Sequence, residues 1–258
     1  MSRLLHWLRL TWFSYQKLGL VRLIRSRCIA HLRRKTARYD DFDHTYGTDT
    51  AESLTPTEAA ITGEAARHAW TYTPIESADF HRMIADLGLA REALTAYTFI
   101  DIGSGKGRAV LLAATYPFQR VMGVEMSALL HQAALQNAAH FQAHRHDAPS
   151  IDFCCQDATV FPFPDDPLVL YFFHPFDESI MARVTAQMRQ AVLRLPRPIF
   201  LLYNRGVNLQ PYPADLLSLG GLLHCLRERP SDPWQGQTGW FVYSNTPHPA
   251  TGASSAAT

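Results

Sequence analysis

The chain has 258 residues, 47% of them apolar, enough to bury one substantial core and too few for several large domains. Net charge is only +1, yet residues 1–39 hold 10 of the 24 Lys and Arg and no acid, leaving 14 basic against 23 acidic residues beyond them. No apolar run approaches the roughly 20 residues that span a bilayer, and 4 cysteines, two of them adjacent, make no disulfide framework, so a reducing, cytoplasmic setting is expected.

Residues 1–39 read as a basic helical arm. Leu4, Leu8, Trp12, Tyr15, Leu18 and Leu23 fall on one apolar face, interrupted by Arg9, Lys17, Arg22 and Arg25. An acid-free amphipathic segment of this kind fits an anionic membrane surface, contacted through residues 1–38, which would make the association peripheral. It also fits a targeting peptide, or a helix packed on its own domain. Nucleic acid is not the expected partner.

Residues 40–75 begin acidic and turn-rich and are expected to form a linker or lid. A core domain then runs over 76–245, opening with a helix at about 78–87. Residues 98–102 are apolar and β-branched and predict a buried strand that carries Asp101. Gly103, Ser104, Gly105, Lys106 and Gly107 make a tight turn, and an apolar helix follows from Arg108. Glycines there permit positive φ and close ligand approach, and the turn's N–H groups are expected to receive a ligand carboxylate.

The acids choose among ligands. A carboxylate two residues before the first glycine is poorly placed for the pyrophosphate of NAD, but favourable beside the sulfonium and α-ammonium of S-adenosylmethionine. The next strand, 119–125, ends in Glu125, 20 residues after Gly105, where an acid can accept both ribose hydroxyls of either ligand. Met126 follows it. After the strand 151–155, Asp157 and Ala158 are placed to meet an adenine amino group. All fall at the carboxyl ends of strands, where open α/β sheets bind ligands.

Ser127 is expected to cap a helix over 127–142. His140, His144 and His146 lack a completing ligand set, so no metal is expected. A buried strand at 167–173 runs into His174-Pro175-Phe176, and Asp177 caps a helix reaching 193. A fifth strand at 198–203, a short helix at 214–219 and a closing pair at 222–226 and 239–243 complete the core. Residues 246–258, rich in Ala, Ser, Thr and Pro, read as a disordered tail.

The ordered motifs FIDIGSGKGR, GVEMS, QDA and YFFHPF resemble those of class I S-adenosylmethionine-dependent methyltransferases. The nearer resemblance is to the non-SET histone-lysine type, the disruptor-of-telomeric-silencing group, and its bacterial relatives, over about residues 70–245. It implies a Rossmann-like, seven-stranded, mostly parallel sheet with helices on both faces and an antiparallel closing strand. The cofactor residues it implies are Tyr72, Asp101, Gly103, Ser104, Gly105, Gly107, Glu125, Met126, Asp157 and Ala158, with Tyr72 closing over the methionine part. The expected acceptor is an amine, protein lysine in particular. Small-molecule O-methylation and a non-catalytic cofactor-binding module are the alternatives. His174 stands where amine-methylating relatives often carry Asn or Asp, and proton transfer, acceptor positioning and packing are all open to it.

Overall fold

The computed structural model describes residues 40–207, 210–232 and 237–246. The expected basic arm and the tail beyond 246 lie outside these residues. Seven strands form one sheet: β1 (Thr98–Ile102), β2 (Arg120–Glu125), β3 (Ser150–Cys155), β4 (Leu168–Phe173), β5 (Ile199–Gly206), β6 (His224–Arg229) and β7 (Gly239–Ser244), in the order β3-β2-β1-β4-β5-β7-β6. The pairs among β1 to β5 are parallel, and β7 alone runs against its neighbours, β5 and β6. The order reverses between β1 and β4, which opens a crevice at their carboxyl ends.

Helices in chain order are α1 (Phe42–Tyr46), α2 (Ala65–His68), α3 (Ser77–Ala85), α4 (Arg108–Ala113), α5 (Ala128–His144), α6 (Glu178–Arg194) and α7 (Ala214–Leu217). Alternation along the strands divides the core. Phe99, Val121, Val169, Tyr171, Phe200 and Leu202 point to one face, under α1, α3, α4 and α5. Ile100, Ile102, Val124, Leu170, Phe172 and Leu201 point to the other, against Met181, Val184 and Met188 of α6. The two long helices start where side-chain caps allow: Ser127 accepts from the Leu130 N–H and Asp177 from the Ile180 N–H.

Several boundaries differ from the sequence reading: the helix expected at 127–142 reaches His144, the strand expected at 198–203 reaches Gly206, and the helix expected at 214–219 stops at Leu217. The helix expected at 78–87 ends at Ala85, and Leu87 is buried in the turn that follows. The strand expected at 222–226 is displaced to His224–Arg229. Leu222 and Leu223 instead pack against the α6 side of the core, after a turn through Gly220 and Gly221, both at positive φ.

Residues 40–75, expected as a linker or lid, lie against the domain. Phe42 is buried between Tyr46 and Phe141. The anchor is Arg108, only 1% exposed although it opens an apolar helix. It donates to Ile75 O at 2.7 Å, Thr50 Oγ1 at 2.7 Å and Asp40 Oδ1 at 2.6 Å, with Asp43 Oδ1 at 3.6 Å. Asp43 also accepts from the backbone N–H groups of Thr50 and Ala51 at 2.9 Å each. One buried guanidinium thus binds three separate points of the N-terminal segment to the helix that follows the glycine turn.

Candidate cofactor and methyl-transfer site

The crevice is a cavity of about 500 Å³, within the usual range of about 300–1,000 Å³ for small-ligand sites. Its floor is the end of β1 and the glycine turn, with Asp101, Gly103, Ser104 and Gly105. Glu125 and Met126 line it from β2, and Gln156, Asp157 and Ala158 from the segment after β3. Phe173, His174, Pro175 and Phe176 line it from the end of β4, and residues 68–75 with Ala59 and Ile61 form a wall from the N-terminal segment.

Tyr72, Asp101, Gly103, Ser104, Gly105, Glu125, Met126, Asp157, Ala158 and His174 therefore meet at one cavity. Gly107 does not. Its φ is +87°, and an added Cβ would stand 2.8 Å from the Phe153 ring, so this glycine serves the packing of the turn against β3 and α5. A second expectation is narrowed. The N–H groups of Gly103 and Ser104 donate to Val124 O, that of Gly107 to Ser104 O, and that of Gly105 to the Glu125 carboxylate at 2.9 Å. Four of the turn's five N–H groups are thus engaged within the protein.

Gly105 holds its place for a different reason. Its φ is +55°, and an added Cβ would lie 2.1 Å from the Tyr72 ring. Tyr72 is fixed by donating its hydroxyl to Thr50 O at 2.8 Å. The tyrosine thus lies on the glycine turn at the cavity edge.

The electrostatics are dominated by two buried acids. Glu125 accepts from the Gly105 and Ser127 N–H groups; burial pushes its carboxyl up and those hydrogen bonds pull it back. Asp101 has no such relief. It is 4% exposed, and among the described residues no hydrogen bond or ion pair reaches its carboxylate. Burial first, and the neighbouring Glu125 charge second, push it well above the ordinary carboxylate range. Asp157 is committed on one oxygen to the Thr159 N–H at 2.8 Å.

At the opposite end His174 adopts φ +41°, a left-handed conformation unusual for a side-chain-bearing residue. Its ring stacks on Tyr212 at 4.6 Å with planes 10° apart, and Trp70 stands 5.5 Å away. Nδ1 shares a short hydrogen bond with the Tyr203 hydroxyl. Burial pushes the imidazole down to about 4 and the Tyr203 phenol up. The N-terminal wall is joined to this end: Trp70 Nε1 and the Tyr212 hydroxyl each donate to Phe176 O at 2.6 Å, and His68 pairs with Asp177.

Sequence reasoning missed Arg108, Trp70, Tyr171, Tyr203 and Tyr212. Only Trp70 carried a visible signal, its alternation with Tyr72 in an extended stretch. No group of three or more His, Cys, Asp or Glu among the described residues could hold a metal ion. His140 instead contacts Gly47 O, and His144 contacts His140 O. Among the described residues no helix is long and apolar enough to cross a membrane.

The orphaned acid suits a cationic ligand, and Glu125 and Asp157 suit a nucleoside, so the residues present fit S-adenosylmethionine. No curated protein matches the chain in sequence. Among solved structures, it is similar to magnesium protoporphyrin IX methyltransferase from Synechocystis with bound SAM (14% identity, 86% of this chain and 97% of that one, TM-score 0.47). It is also similar to an RNA methyltransferase from Salinibacter ruber in complex with S-adenosyl-L-homocysteine (16% identity, 67% and 93%, TM-score 0.45). Residues 100–184 match the family model described as a methyltransferase domain. The match to a methyltransferase domain thus falls on the part of the chain that runs from β1 to α6, within a seven-stranded, mostly parallel, Rossmann-like sheet.

Proposed function

We propose that the protein transfers a methyl group from S-adenosylmethionine to an acceptor that enters beside His174. The observation that supports this most is the Asp101 carboxylate, buried, without a hydrogen-bond partner among the described residues and lining the cavity. When bound, S-adenosylmethionine supplies a methyl group already activated on a sulfonium sulfur. The chain's part is to bind, orient and exclude water. Asp101 would compensate positive charge, Glu125 would take the ribose hydroxyls and Asp157 the adenine amino group. The wall of residues 68–75 would close the cavity from solvent. Calorimetric titration is expected to show binding of S-adenosylmethionine and S-adenosylhomocysteine and none of NAD. Binding of NAD, or of neither adenosyl ligand, would overturn the reading.

An amine acceptor, protein lysine in particular, is what the resemblance implies. The surroundings of His174 favour a second reading, an oxygen acceptor already ionised at neutral pH. The Tyr212 backbone N–H faces the Tyr203 oxygen, which leaves the Tyr203 proton for His174 Nδ1. His174 would then carry its own proton on Nε2 and act as a donor, not a base. Nitrogen NMR of the labelled protein is expected to show His174 neutral and Nε2-protonated from neutral pH down to about pH 5. Because its pKa of about 4 lies below the unfolded value of 6.5, the unfolded chain takes the proton first, so this group's stability contribution is lost as pH falls from 6.5 towards 4. Titration near 6.5, or protonation on Nδ1, would restore the general-base reading.

An anionic membrane surface for residues 1–38 and a cytoplasmic location remain proposals, supported by the sequence of the arm and by cysteine usage.

A further inference from the structure

His68 and Asp177 pair at the end of the cavity that holds His174. His68 closes α2, and its backbone is tied to the residues that follow His174. The Asp177 N–H donates to His68 O at 3.0 Å, and Ala69 makes an antiparallel bridge to Phe176. His68, Trp70, His174 and Phe176 all line the cavity.

The hydrogen bonds of Asp177 fix which nitrogen of His68 carries the proton. Oδ1 accepts from the Ser179 hydroxyl at 2.7 Å and from the Ile180 N–H at 3.1 Å. Oδ2 meets His68 Nδ1 in a short hydrogen bond. Burial raises the Asp177 carboxyl, but the hydrogen bonds from His68, Ser179 and Ile180 outweigh it and hold it below its ordinary 3.8. An ionised carboxylate can only accept, so Nδ1 is the donor. The neutral imidazole then has its lone pair on Nε2, which makes no hydrogen bond among the described residues. His174 has the opposite arrangement, with Nδ1 accepting from Tyr203 and the proton on Nε2.

Two histidines of opposite tautomer on one cavity divide the work of a transfer. His174 can donate, but burial pushes its imidazole down to about 4 and leaves it a poor base at neutral pH. A protonated amine has no free lone pair and a neutral hydroxyl is a weak nucleophile, so an acceptor that arrives with its proton needs a group to take it. His68 has the lone pair and a carboxylate that stabilises the imidazolium once formed. Its side chain is 30% exposed, which gives the proton a way out to solvent.

We propose that His68 is the general base of methyl transfer, with Asp177 as its positioning residue, and that the acceptor is an amine or hydroxyl that enters the cavity still protonated. The assignment rests on the adenosylmethionine reading above. The proton on the acceptor's nitrogen or oxygen passes to His68 Nε2 and frees the electron pair that bonds to the methyl carbon. The bond from that carbon to the sulfonium breaks, its electrons stay on sulfur as a neutral thioether, and His68 releases the proton to water. Asp177 is paired with His68 and Arg67 precedes it on α2, while Glu64, His174, Arg183 and the three acids assigned to the cofactor share the cavity.

His68→Asn and Asp177→Asn test the pair. The asparagine amide at 68 can keep a donor near the position of Nδ1, and asparagine at 177 caps α6 as well as aspartate does. Transfer from tritium-labelled S-adenosylmethionine is measured for three probes: Nα-acetyl-lysine, phenol, and 4-nitrophenol in mild base, where it is largely ionised. His68→Asn is expected to slow transfer to the first two by about 100-fold or more, to slow 4-nitrophenol far less, and to keep the affinity for S-adenosylhomocysteine. The acid limb of the wild-type pH–rate profile should disappear in this variant. In Asp177→Asn it should move to lower pH, because the lost charge favoured the imidazolium. Equal rates in His68→Asn and wild type would mean that the pair only fastens the wall to α6, and would overturn the assignment. So would an equal loss for all three probes. Should wild type methylate none of them, nitrogen NMR of the labelled protein decides: neutral His68 protonated on Nδ1 supports the base, and protonated on Nε2 overturns it. Failure of wild type to bind S-adenosylhomocysteine is a different outcome and would refute the cofactor reading itself.

Discussion

Arg108→Met is expected to lower the unfolding free energy by about 3 kcal/mol, the low end for removing one partner of a buried ion pair. The thioether keeps much of the volume, so the loss would come from the charge and the fork of hydrogen bonds. Asp40 and Asp43 would lose their cation, and Ile75 O and Thr50 Oγ1 their donor. The low end applies because the two carboxylates keep some contact with water, at 28% and 21% exposure. Burial alone raises the Asp40 carboxyl, but hydrogen bonds from Ser77 and the Arg108 charge outweigh it and hold it below its ordinary 3.8. That contribution is present above pH 3.8 and lost as pH falls through the lowered value, so wild type and variant should converge in acid. Arg108→Lys should fall between them, since it restores charge without the planar fork. Urea unfolding supplies the measurement, and an unchanged midpoint in Arg108→Met would remove Arg108 as the anchor.

Asp101→Asn should separate stability from binding. In the free protein the carboxylate is buried without a partner among the described residues, and an amide of the same shape removes the cost of burying its charge. The variant is therefore expected to be at least as stable as wild type. Its affinity for S-adenosylmethionine should fall by about 10- to 100-fold, the loss of one charge-assisted hydrogen bond of about 1.5–3 kcal/mol. Thermal melts with and without ligand report both quantities in one experiment. A variant that melts lower without ligand and binds as tightly would show that Asp101 is structural. Opposed signs are the mark of a residue that costs stability in the service of a ligand.

The strands around the glycine turn were legible because they obey local rules. An apolar run ending in an acid, glycines where φ turns positive, and Ser127 and Asp177 ahead of helices each encode their geometry within a few residues. Ten of the eleven candidate site residues consequently line one cavity. The exception, Gly107, failed because a glycine needed for contact with Phe153 looks the same in sequence as one needed for a ligand. The N-terminal wall was less legible. Its elements are short, and what holds it is Arg108, whose partners lie 33 to 68 positions away. No periodicity marks such a contact. Tyr171 and Tyr203 were hidden for the opposite reason: a phenol in a buried strand fits the apolar pattern so well that its hydroxyl goes unnoticed.

The dependence of the cavity wall on Arg108 has a consequence for the order of folding. Residues 40–75 leave the ribosome before the helix that anchors them, and on their own they offer short helices and few apolar side chains. They have little to fold around until β1, the glycine turn and α4 exist. Closing a loop of this length costs only modest chain entropy once an anchor is present, so the wall should condense late, on a sheet already formed. Nascent chains stopped anywhere before Arg108 would carry the wall's sequence but no pocket, and the ability to capture an adenosyl ligand would arise only after the core that reads it.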